Sequence, residues 1–218
     1  MGRSRFLFFF APAVLAFGQT ASVGSLGISS SETPQPITAK ERVRWVVENS
    51  VGPASLAAGL FSAGWGTMFN VPQEYGPHWE GFGKRYGMRL TGIATSNVME
   101  AGLGALWGED PRYVRAEGAP FGNRIGHIVK MTFLAQNRDG KTMPAYARYI
   151  AISGSNYLSN TWRADSEATV SRASLRVGLG FLGRMGGNAF EEFWPDVRRR
   201  FFSKKSSSPP VQRTVGTD

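Results

Sequence analysis

Small residues return every fourth position through much of this chain, and that spacing constrains the fold more than any other feature. Ala54, Ala58, Ser62 and Gly66 form one row, Gly83, Gly87, Thr91 and Thr95 a second, and Ala147, Ala151, Ser155 and Ser159 a third. Gly122 with Gly126 and Gly183 with Gly187 are shorter rows of the same kind. Residues four apart share a helix face, so each row makes a groove in which another backbone can lie close. An interior glycine costs about 0.5–1 kcal/mol against alanine, so tight packing or a membrane environment must offset it. The pattern predicts an all-α bundle of five or six helices that pack through Gly/Ala/Ser faces and can self-associate through them.

Helix ends are marked locally. Thr38 stands three residues before Glu41, a capping-box spacing, and Val43, Val46 and Val47 then recur at helical intervals. Gly52-Pro53 breaks this helix, and Pro53 suits the first position of the next. A long helix follows from Trp79 to about Trp107, ended by Gly108 in the left-handed conformation. A fourth runs from Phe121 to about Ala135, with Ile125, Ile128, Val129 and Phe133 on one side. After the turn Arg138-Asp139-Gly140-Lys141, Thr142 and Pro144 are expected to start a helix that continues to about Asn160. Asp165 or Ser166 caps the last helix, and Pro195 ends its pattern near Phe193.

Strand signals compete with this. Asp139-Gly140 is a hairpin dipeptide, and the stretch from Leu175 to Phe181 alternates with period two. In an exported chain these raise an outer-membrane β-barrel as an alternative. Against it, Pro144 falls where a strand needs its amide, and helical spacing accounts for more of the apolar positions.

The N-terminus reads as a secretory signal over residues 1–18: Arg3 and Arg5 precede the uncharged run from Phe6 to Phe17, with a small-residue cleavage site near Gly18. Residues 19–37 read as a flexible linker, residues 38–202 as the helical domain, and residues 203–218 as a disordered basic tail. The expected location is the periplasm or cell envelope. The chain has no cysteine, which excludes thiol catalysis, thiolate metal sites and disulfide staples.

The net charge of +9 is unevenly spread. The signal carries two of these charges and residues 197–218 carry five, leaving two over residues 19–196. So near-neutral a body lacks the broad basic surface that binds nucleic acid. The basic aromatic end instead suits an anionic membrane surface, through Arg198, Arg199, Arg200, Phe201, Phe202, Lys204 and Lys205. Residues 49–73 contain no charge and are a candidate for partial membrane insertion.

Candidates for chemistry are few. Gly178-x-Gly180-x-x-Gly183 resembles a dinucleotide fingerprint, but too little chain follows for the sheet that would use it, so no cofactor is expected. His127 has no acid at helical spacing to make a metal pair. Glu100 is the lone charge between Leu90 and Gly108; it either meets a buried cation or faces solvent. If buried, it is a candidate general acid for cell-wall glycan hydrolysis, as is the region of His78 and Glu80. Glu109 and Asp110 with Arg112 and Arg115 read as a loop held by ion pairs.

Four phrases resemble an uncharacterised family of exported bacterial helical proteins. They are Glu74-Tyr75-Gly76 with Tyr86-Gly87, Glu109-Asp110-Pro111-Arg112-Tyr113, Ser159-Asn160-Thr161-Trp162, and Glu192-Phe193-Trp194-Pro195-Asp196. The resemblance spans roughly residues 40–202. It implies a helical protein of the envelope and carries no activity or active site.

Overall fold

The computed structural model describes residues 36–202, and among these the fold is all-α. Six helices are present: α1 Ala39–Val51, α2 Pro53–Met68, α3 Trp79–Trp107, α4 Phe121–Phe133, α5 Tyr146–Leu158 and α6 Val170–Phe202. Short 3-10 turns occupy Gln73–Tyr75 and Ser159–Thr161. The expected punctuation holds at the first ends. Thr38 and Glu41 complete the capping box, and Pro53 opens α2. Gly108 ends α3 at φ 83°. The arginine of Arg138 packs against that glycine and donates to the Ala105 carbonyl at 3.0 Å, taking up a carbonyl that the helix end leaves open.

Helix α3 is the central rod, packed by α1, α2 and α5, while α6 packs on α4 and α5. Contacts fix the directions. Arg42 meets the Ala101 carbonyl and Asn97 meets Ser50, so α1 runs antiparallel to α3. Arg148 meets Glu100 while Arg163, just past α5, lies over Gly92, and Tyr149 meets Phe181 while Tyr157 meets Ser174, so α5 is antiparallel to both α3 and α6.

Four boundaries differ from the sequence expectation: the end of α4, the start of α5 and both ends of α6. Helix α4 stops at Phe133, and a two-stranded hairpin follows: β1 Leu134–Gln136 pairs with β2 Thr142–Pro144, Leu134 opposite Pro144 and Gln136 opposite Thr142. The Asp139-Gly140 hairpin signal was therefore the correct one. Asn137 Oδ1 organises the turn by accepting from the Asp139 and Lys141 amides, each at 2.9 Å. Pro144 is tolerated because it sits at the last pair, where the ladder no longer needs its amide. Helix α6 begins later, at Val170, where Thr169 Oγ1 accepts from Arg172 N, and Pro195 lies inside it. Next to the break in hydrogen bonding that this proline causes, Arg115 and Arg124 donate to the Glu192 carbonyl at 3.1 and 2.6 Å.

The period-two stretch Leu175 to Phe181 is helical, within α6. The described residues hold only the two three-residue strands, so the barrel alternative has no counterpart in them. The uncharged run 49–73 is divided among the end of α1, α2 and the following loop. None of the described helices is long and apolar enough to cross a membrane.

Two of the small-residue rows are packing seams and the others are not. Ala147, Ala151, Ser155 and Ser159 are buried, as are Gly183 and Gly187. In α2 the buried row is shifted by one, to Ser55, Gly59 and Ala63, meeting Gly66 at its end. Gly83, Gly87, Gly122 and Gly126 are exposed, and a methyl added at any of them meets nothing within 4 Å. Gly87→Ala should therefore raise stability by about 0.5–1 kcal/mol. Gly81→Ala should lower it by about 1–3 kcal/mol, because its Cβ would stand 2.2 Å from the Gly76 carbonyl oxygen and 2.4 Å from that of Tyr75. Denaturant titration of the two variants checks both signs.

Candidate functional site

The interior is where the charge is. Glu100 of α3, 4% exposed, meets Arg148 of α5 and Arg184 of α6, each itself buried. Its Oε1 accepts from Arg148 Nε at 2.9 Å and from Arg184 Nη2 at 3.2 Å. Arg148 Nη1 also donates to the carbonyls of Met131 and Thr132, at 2.7 and 3.1 Å, closing the C-terminal end of α4. Arg184 Nη2 donates to the Pro111 carbonyl at 2.5 Å, and its guanidinium lies 5.5 Å from the ring centre of Trp45. Burial first, and Arg148 second, lower the Arg184 pKa to about 10. This cluster ties α1, α3, α4, α5, α6 and the loop at Pro111 to one point.

A second cluster surrounds Glu192, the largest fully buried side chain. Its carboxylate accepts from Arg124 Nε at 2.6 Å, Tyr113 Oη at 3.0 Å and Ala116 N at 3.1 Å. Arg124 also pairs with Asp196 at 2.7 Å. Burial pushes the Glu192 carboxyl upward, and the bonds from Arg124, Ala116 and Tyr113 together outweigh it, leaving the pKa below the ordinary value. A depressed carboxyl stabilises the fold fully above its unfolded pKa, and that contribution is lost as pH falls through the folded one. Unfolding midpoints should therefore drop as acidification carries the pH through and below the ordinary carboxyl range, with a shallower drop in Glu192→Gln.

Glu109, 3% exposed, departs from the expected loop of ion pairs. Its carboxylate accepts from the Ala147 amide at 3.0 Å and from Trp107 Nε1 at 2.6 Å, so it caps the first turn of α5. Burial raises its pKa despite these bonds. The rest of the loop does use ion pairs: Arg112 with Asp110 at 2.7 Å and Arg115 with Glu117 at 2.9 Å.

Of the sequence candidates, Glu100 meets buried cations rather than solvent. It lines neither the surface hollow bounded by Phe133, Leu175 and Phe181 nor the one bounded by Glu74, Lys84 and Asp165. His78 is exposed at the N-cap of α3, with no side-chain bond to the helix. Glu80 is exposed and pairs with Lys84 at 2.7 Å. His78 and Glu100 are twenty-two residues apart on one helix, about 33 Å along its axis, so they share no cleft. His127 Nε2 contacts the Val114 carbonyl at 2.7 Å. The glycines of the apparent nucleotide fingerprint lie within helix α6, without the strand and turn such a site requires. Among the described residues no group of His, Asp and Glu could hold a metal ion.

At the basic end, Arg198, Arg199 and Arg200 are exposed and in no ion pair among the described residues. Phe201 and Phe202 are the last residues of α6; their side chains, together with Lys204 and Lys205, lie outside the described part, as do the signal segment and residues 19–35. Arg148, Arg184 and Glu192 were missed as partners. Arg148 was findable, because it is the lone charge of α5, the criterion that singled out Glu100.

The exterior is the complement of this interior. In α1 the buried side is Arg42, Trp45, Asn49 and Ser50, while Val43 and Val47 point outward, 64% and 51% exposed. In α4, Phe121, Ile125, Val129 and Phe133 are all exposed, and only Ile128 of the expected apolar side is buried. The buried apolar residues are mostly alanine. Such a body binds its own helices by polar contacts and offers hydrocarbon to its surroundings. No protein family, curated protein or solved structure matches the chain in comparison.

Proposed function

We propose that this is a non-enzymatic protein of the bacterial-type cell envelope, exported by its N-terminal signal, which works by surface contact with a membrane or with further copies of itself. One observation carries this reading: charged and hydroxylated side chains occupy the interior while Val, Leu, Ile, Phe and Trp face out on several helices. Buried polar groups and exposed apolar faces together mark a surface meant to be covered. The family resemblance, an exported helical protein of the envelope, agrees with it. Glu100, 4% exposed and bound to two buried arginines, gives the glycan-hydrolase alternative no supporting observation.

The test is fractionation of cells producing the full chain. The protein should sediment with envelope membranes, stay there through a high-salt wash, and show no wall-digesting activity. Recovery wholly in the soluble extract as a monomer would end this reading. The basic end adds an electrostatic component. Each cation near an anionic surface is worth about 1 kcal/mol, so replacing Arg198, Arg199 and Arg200 by alanine should weaken binding to phosphatidylglycerol vesicles by roughly a hundredfold at low salt, measured by co-sedimentation.

A further inference from the structure

Among the described helices α2 alone carries no charged residue. Its inner side is Ser55, Gly59, Ala63 and Gly66. Its outer side, at helical spacing, runs through Ala57, Leu60, Phe61 and Met68, all exposed, and none of these side chains has a polar atom. The stripe continues past the helix end into exposed Phe69 and Val71, with the Phe61, Trp65 and Phe69 rings in a row at centroid distances of 6.1 and 4.8 Å. No charge occurs from residue 49 to residue 73.

An independent observation concerns the backbone beyond α2. Three carbonyls of this loop are turned inward onto one buried cation and so need no water. Arg85 of α3 donates to the carbonyls of Val71, Pro72 and Gly76 at 2.8, 2.7 and 2.7 Å, and to Asn70 Oδ1 at 3.3 Å. Thr67 Oγ1 donates back to the Ala63 carbonyl at 2.8 Å, and the Val71 amide to that of Gly66 at 2.8 Å. Segments in contact with lipid must satisfy their backbone internally in this way.

The occupant follows from the same facts. A protein partner, or a second copy, ordinarily makes about one hydrogen bond per 100–200 Å² of interface, and this stripe offers no side-chain group to make one. Lipid chains ask for none. At 16 residues the helix is about 24 Å long, short of a bilayer's roughly 30 Å hydrocarbon core, so it lies along a leaflet and does not cross it.

We propose that the outer face of α2, from Ala57 to Met68 with Phe69 and Val71, inserts side-on into the headgroup–acyl boundary of one membrane leaflet. The inference rests on the envelope reading above and names the membrane contact within it. The chain has no cysteine, so single labels can be placed cleanly. Phe61→Cys, Met68→Cys and, on the exposed hairpin turn, Asp139→Cys would each carry an environment-sensitive fluorophore. They would be mixed with phosphatidylethanolamine–phosphatidylglycerol vesicles, with and without spin-labelled acyl chains.

Labels at 61 and 68 should shift to the blue and be quenched by the spin-labelled lipid, while the label at 139 stays water-like. Leu60→Glu with Phe61→Glu should cut vesicle binding about tenfold or more, a carboxylate being costly in the acyl region, with helix content unchanged by circular dichroism. Vesicle-bound protein whose 61 and 68 labels remain in water overturns this inference and leaves the envelope reading standing. A blue shift that needs no vesicles and grows with protein concentration assigns the face to a second copy and overturns it as well. Failure of the unmodified chain to bind vesicles also overturns it, and fractionation then judges the envelope reading separately.

Discussion

Glu100→Gln is expected to cost about 3–5 kcal/mol of folding stability, the range for removing one partner of a buried ion pair. The reason is what remains. Arg148 and Arg184 are both buried and both bound to the same Oε1, so the neutral amide leaves two guanidinium groups facing one another in a medium of low polarity. Arg148 keeps its hold on the end of α4 through the Met131 and Thr132 carbonyls, which opposes any escape to solvent. A conservative change of shape is thus a severe change of energy. The control is a triple variant, Glu100→Leu with Arg148→Met and Arg184→Met. Buried charge clusters exchanged whole for apolar groups are often neutral or stabilising, so the triple variant should lie nearer the parent than the single one does. Equilibrium unfolding in urea measures all of them. A single variant within 1 kcal/mol of the parent would show that Glu100 does not neutralise the two arginines.

Glu192→Ala should cost about 3 kcal/mol, because several charge-assisted hydrogen bonds vanish from a fully buried site. The loss is local as well as global. Tyr113 and the Ala116 amide are joined to α6 through this carboxylate, so the segment between them should open and become a trypsin site at Arg115. Asp196→Ala removes the other partner of Arg124 and should cost under about 1 kcal/mol, since that carboxylate is 47% exposed and screened by water. Thermal melting, with limited proteolysis followed by mass mapping, separates the two variants. Equal effects would mean that burial is not what gives Glu192 its weight.

These two clusters show how far the chain could be read before its structure. Most helix ends were legible because each is decided within a few residues: the Thr38–Glu41 box, Pro53 at a first turn, and Gly108 at φ 83°. Pro195 reads as a stop because its disruption is local, while the arginines that hold the neighbouring Glu192 carbonyl, Arg115 and Arg124, lie some seventy to eighty residues earlier. The Thr142–Pro144 strand was misread for a similar reason, the proline's place in the ladder depending on which residue of β1 lies opposite.

The direction in which the apolar sides of α1 and α4 face is not local. Val43 and Val47 on α1, and Ile125, Val129 and Phe133 on α4, have the spacing of apolar sides that ordinarily turn to a core, yet they face outward. Periodicity states that a helix has two sides and leaves open which one is buried. By itself the sequence determined an all-α chain, where its helices lie and which of their positions are small, because capping, proline and glycine act over one or two turns. Only the tertiary structure decided that Glu100 belongs with Arg148 and Arg184, that Glu192 belongs with Arg124, and that hydrocarbon points outward. The physical reason is that a buried charge must find its opposite. The distance to that partner along the chain is set by how the rods pack, which no local pattern records.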